Sequence, residues 1–127
     1  MLGLEIHDMD PRGFLAFDLK EILRCLGEDA IDRDWRCANI ECTGQAMLEF
    51  EALQQSGAFV PGVQLLALAD RTNQVIWGDF LGRRPDEELE TLRIRAIDST
   101  LWEVFGDDAC LGKIRNAFRD VRCAQSG

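Results

Sequence analysis

The chain has no tyrosine and a single histidine, His7, among 127 residues. It therefore lacks one common acid–base and interface residue, and no second imidazole is present to complete a zinc site or a Cys/His catalytic pair. Its five cysteines, Cys25, Cys37, Cys42, Cys110 and Cys123, show no CxxC spacing. An odd, scattered set set among apolar neighbours reads as reduced thiols of a cytoplasmic protein, not as a disulfide framework or a metal site. No apolar run approaches the roughly 20 residues of a membrane helix, and no basic segment followed by an apolar one suggests export. Nucleotide-loop, nucleophile-elbow and dinucleotide fingerprints are missing as well. Ser99-Thr100 has no histidine partner, so no catalytic residue, metal ligand or cofactor is assigned.

Positive charge is also scarce. Fourteen Lys and Arg face 23 Asp and Glu, a net charge of −9. Residues 1–63 hold 12 acids against 5 bases and residues 64–127 hold 11 against 9, so acidity is concentrated in the front half, densest at Glu28, Asp29, Asp32 and Asp34. Phosphate backbones and anionic membranes demand a basic footprint, which argues against both as partners. A basic protein partner is compatible with it.

What the chain does have is a core. Its hydrophobic fraction of 46% and charged fraction of 29% are ordinary for a globular domain. No repeat or linker divides it, so residues 1–127 read as one domain. Residues 1–13 read as an arm, or as a short strand around Leu4 to Ile6, and residues 124–127 as a disordered tail. Leu15, Leu19, Ile22, Leu23 and Leu26 recur at helical spacing before Gly27, with Asp18 able to cap a shorter version that begins at Leu19. The expected class is α+β: a mostly antiparallel sheet with strands near 35–43, 74–82, 89–97 and 101–106, packed with helices near 15–26, 45–55, 61–70 and 108–121.

The last third, Gln74 to Val121, is the most informative stretch. A two-residue loop at Ser99-Thr100 would set Ala96 opposite Glu103 and Arg95 opposite Val104, pairing core-like residues with charges. A three-residue loop, Asp98-Ser99-Thr100, instead sets Ile97 opposite Leu101, Ala96 opposite Trp102, Arg95 opposite Glu103 and Ile94 opposite Val104. The second register gathers Leu92, Ile94, Ala96, Trp102 and Val104 on one face as core. The opposite face then carries Arg93, Arg95, Ile97, Leu101, Glu103 and Phe105, the composition of an interface or a ligand platform. The strand before it adds either Val75, Trp77, Asp79 and Leu81 or Ile76, Gly78, Phe80 and Gly82. The loop Gly82 to Glu88 does not fix which, and the preferred place for Trp77 is the core.

Two functional readings follow. One is a non-catalytic acidic protein-interaction or regulatory domain, of the kind that inhibits a basic partner as immunity proteins and antitoxins do, or that pairs with a second copy of itself. The other is a binder of, or enzyme acting on, an anionic ligand in a helix–sheet pocket lined by Trp77, Arg93 and Arg95. The candidate binding residues are thus Arg93, Arg95, Ile97, Leu101, Phe105 and Trp77.

Overall fold

The computed structural model describes residues 2–124. Among them the elements run β1 (Gly3–Ile6), α1 (Leu19–Leu26), α2 (Glu28–Ile31), β2 (Asp34–Gly44), α3 (Met47–Ser56), β3 (Val60–Pro61), α4 (Gly62–Asp70), β4 (Thr72–Arg83), β5 (Glu90–Ile97), β6 (Leu101–Phe105), α5 (Asp108–Ala117) and β7 (Val121–Ala124). The strands form one sheet in the order β3-β2-β4-β5-β6-β1-β7, every neighbouring pair antiparallel. The class is α+β, as the sequence implies. No helix among the described residues is long and apolar enough to cross a membrane.

The hairpin between β5 and β6 has the three-residue loop and the register that side-chain matching selects: Ile97 faces Leu101, Ala96 faces Trp102, Arg95 faces Glu103 and Ile94 faces Val104. Asp98 and Ser99 hold the turn with left-handed backbones, φ 48° and 59°, and Thr100 N–H closes it on the Ile97 carbonyl at 2.9 Å. Leu92, Ile94, Ala96, Trp102 and Val104 are all buried. The small Ala96 leaves room for the indole of Trp102, which stacks on Phe80 with centroids 6.3 Å apart. Phe80 in turn meets Phe50 of α3 edge-on at 6.2 Å.

Leu19, Ile22, Leu23 and Leu26 make the buried stripe of α1, which starts at the shorter of its two expected limits because Asp18 caps it. The Asp18 N–H donates to Glu21 Oε1 at 2.9 Å, and Gly27 leaves the last turn at φ 58°. The buried side of α3 is narrow. Phe50 is buried, whereas Met47 and Leu48 are exposed. All five helices feed one contiguous core with the inner sheet residues, so the molecule is two layers, helices on sheet.

Of the two readings of the N-terminal residues the short strand holds: residues 3–6 pair between β6 and β7 and are not an arm. Three expectations, two about the C-terminal end and one about β4, are corrected. The last helix stops at Ala117, short of 121. The carboxylate of Asp8 accepts the backbone N–H groups of Arg119 and Asp120 at 2.7–3.1 Å, which draws the chain off the helix and into β7 beside β1. Ala124, expected in a loose tail, belongs to that strand; residues 125–127 lie outside the described residues.

In β4 neither alternative set shares a face. Glu41 pairs with Trp77 and Cys42 with Val75, so Ile76 is an extra, bulged residue that inverts the alternation. Val75 is therefore 1% exposed, while Trp77, expected in the core, is 40% exposed on the far side. Beyond the bulge Gly78, Phe80 and Gly82 point inward. A side chain at Gly82 would strike the indole ring of Trp35 at 2.9 Å, so glycine there lets Trp35 lie flat across β4.

Candidate functional site

Among the described residues, no helix covers the outer face of the sheet. From β2 to β7 its cross-strand rows follow the register. One row runs Ala38, Asp79, Arg95, Glu103, Glu5, Arg122 and the next Arg36, Leu81, Arg93, Phe105, Gly3, Ala124. Alternation in the strands dictates this, since each buried inner residue leaves a neighbour facing out.

Many of the charges on this face are paired within the chain, although Asp34, Glu41 and Arg83 make no ion pair among the described residues. Arg95 Nε lies 2.9 Å from Asp79 Oδ1, and its Nη1 lies 3.6 Å from Glu103 Oε1. Arg93 Nη2 reaches the same Asp79 oxygen at 3.4 Å, and Asn39 Nδ2 donates to Asp79 Oδ2 at 3.0 Å. Arg36 Nη2 donates to Glu90 at 3.0 Å, and His7 Nε2 is 2.8 Å from Glu5 Oε1. Six carboxylates (Glu5, Asp34, Glu41, Asp79, Glu90, Glu103) and five guanidinium groups (Arg36, Arg83, Arg93, Arg95, Arg122) share the face. Nearly all of the net charge of −9 therefore lies off this face, divided between the loops that join the strands and the helical side. There Glu28 and Asp32 are exposed. Asp29 bonds Lys113 Nζ at 2.7 Å, which with the nearby Arg33 holds its carboxyl below the usual range against its own burial.

Of the six candidate residues, Arg93, Arg95, Ile97 and Leu101 stand half-buried on the outer face and Trp77 stands exposed there. Phe105 shares that face but is not open. Its ring folds over Gly3, where any Cβ would collide with the ring carbons, leaving Phe105 5% exposed. Because Trp77, Arg93 and Arg95 lie on the side away from the helices, they do not line a helix–sheet pocket.

They meet a different concavity. Ala38 pairs with Asp79 and Glu41 with Trp77, so Asn39 and Ile40 are both set against Gly78. This double bulge, with Asn39 at φ 55°, opens a cavity of about 430 Å³ lined by Asn39, Ile40, Glu41, Trp77, Gly78, Asp79, Arg95 and Ala96. Glu41 makes no ion pair among the described residues. Sequence reasoning missed Asn39 and Glu41 as lining residues. The one local signal was an imperfect alternation in Trp35 to Thr43.

Other groups with chemical potential are occupied structurally. Asp8 and Asp10, beside His7, accept backbone N–H groups, Asp10 from Arg12 and Phe14. Asp107 accepts the Cys110 N–H at 2.9 Å as the cap of α5, which lowers its pKa. All five thiols are free, and burial pushes Cys37 and Cys110 up to about 12, away from thiolate chemistry. No family model, curated protein or solved structure matches the chain.

Proposed function

We propose that this is a non-catalytic interaction domain that holds a protein partner across the outer face of its sheet, in the manner of a small acidic inhibitor or regulatory adaptor of a basic protein. The observation that carries the reading is that broad face, bare of helices, where Ile97, Leu101, Leu81 and Trp77 stand among ion pairs already satisfied within the chain. Arginine stems, aliphatic groups and a half-open indole form an interface composition, and the charges already paired within the chain can be covered as pairs, leaving the unpaired Glu41 to be met by the partner. The net charge of −9 favours approach of a basic partner from solution. An anionic ligand is the weaker reading, because Asp79 and Glu103 already occupy the guanidinium of Arg95.

A photo-cross-linking amino acid at position 101 tests this in cells. It should give one discrete adduct, lost when Ile97→Asp is added, while the same group at position 64 on α4 gives none. Adducts only from position 64 would move the binding surface to the helical side and sink the proposal. An adduct of twice the chain mass would make the partner a second copy.

A further inference from the structure

The cavity at the double bulge discriminates by charge. We infer that it receives a cationic side chain, an arginine of a basic protein partner, with the guanidinium on the face of Trp77 and against the carboxylate of Glu41. The inference rests on the interaction reading above and adds the partner's chemistry at one point of the surface. Trp77 and Glu41 stand directly opposite one another across β2 and β4. Trp77 is 40% exposed, and tryptophan is the best of the aromatic partners for a cation. Glu41 is exposed and has no ion pair among the described residues.

Arg95 lines the same cavity but does not make it an anion site. Its charge is set against Asp79 at 2.9 Å and Glu103 at 3.6 Å. The lining thus holds two carboxylates, Glu41 and Asp79, against one guanidinium, and an entering anion would meet net repulsion. Asn39 fixes Asp79 from the other side at 3.0 Å, so the polar wall is already oriented before anything enters. Gly78 adds only backbone to the lining.

The chain offers a clean reporter. Trp35 and Trp102 are both 0% exposed, so a ligand-induced change in an indole signal belongs to Trp77. Titration of the intact protein with a capped oligoarginine peptide should shift the Trp77 indole N–H resonance saturably, and a capped oligoglutamate peptide should not. Glu41→Gln should weaken the arginine peptide about threefold, and Trp77→Leu about fivefold by an unlabelled calorimetric readout. The double change Glu28→Lys with Asp32→Lys, which alters charge on the helical side, should leave the indole shift in place. An absent or unsaturable shift, or equal loss in that helical-side variant and in Glu41→Gln, would overturn the inference as plain attraction of a basic peptide to an acidic protein. The interaction reading fails separately, by the position-101 cross-link, so the two failures are distinguishable.

Discussion

The two faces of the one sheet solve opposite problems with the same alternation. Inward, Leu92, Ile94, Ala96, Trp102 and Val104 join the helices in one hydrophobic core. Outward, the same strands set Arg93, Arg95 and Glu103 into ion pairs with their neighbours and leave aliphatic groups half-covered. The inner face gives stability through area removed from water, at about 25 cal/mol per Å². The outer face contributes little to stability, since partly exposed ion pairs yield about 1 kcal/mol or less each. What it supplies is a surface that is charged yet internally neutralised, and so can be covered. The net acidity lies off that surface, on the helices and on the loops that join the strands, while the mixed arginine–aliphatic residues hold the outer face.

Truncation should expose that contrast most strongly. Trp102→Ala removes a fully buried ring that stacks on Phe80 and should cost about 3–5 kcal/mol in urea unfolding. Leu101→Ala, one residue away and outward, should cost about 1 kcal/mol or less. Comparable losses from the two would mean that the outer face is packed against something in the folded protein, and the two-face picture would fail.

A second, smaller effect lies where the helical layer is tied to the sheet. Asp18 accepts the N–H of Val75, the residue just before the β4 bulge, at 3.2 Å. Burial raises its carboxyl from the ordinary 3.8 to about 6, a rise only partly offset by the N–H groups of Val75 and Leu19. The folded state therefore binds the proton more tightly than the unfolded state does. Stability from this residue is greatest below about pH 4, falls as pH rises to about 6, and is absent above. Asp18→Asn keeps an acceptor without the charge. It should gain roughly 1–2 kcal/mol near neutral pH, allowing for partial solvation, and lose that advantage near pH 4. Parallel stability curves for the two proteins across that window would refute the assignment.

Regular alternation explains what was legible. In β5 and β6 each wrong register sets a core residue against a charge, so matching alone selects the Asp98–Thr100 turn. The α1 stripe and its Asp18 cap were legible for the same reason, a strong period with a named stop. Where alternation breaks, reading fails. Ile76 shifts β4 by one residue, so Val75 and Trp77 part company although any two-residue period places them together. The hydrogen bond from Val75 N–H to Asp18, 57 residues away, is among the contacts made at the shift, and nothing local announces it. Likewise Val121 continues the helical stripe of Leu111, Ile114 and Phe118. Only the distant carboxylate of Asp8 gives the backbone of Arg119 and Asp120 a better partner than another helical turn. The cavity combines both failures, since it exists only because β2 and β4 bulge beside each other.

The smallest expected effect is the sharpest test of the outer face. If Asp79, shared by Arg93 and Arg95, serves to neutralise the surface, then its coupling to Arg95 should be modest and should vanish with salt. A double-mutant cycle on Asp79→Ala and Arg95→Ala should give a coupling of about 0.5–1 kcal/mol at low ionic strength. It should shrink towards zero near 1 M salt, where the screening length is about 3 Å. A coupling above about 2 kcal/mol that survives salt would instead describe a desolvated pair. The arginines would then be part of the fold's own architecture, and the outer face would owe its composition to stability and not to a partner.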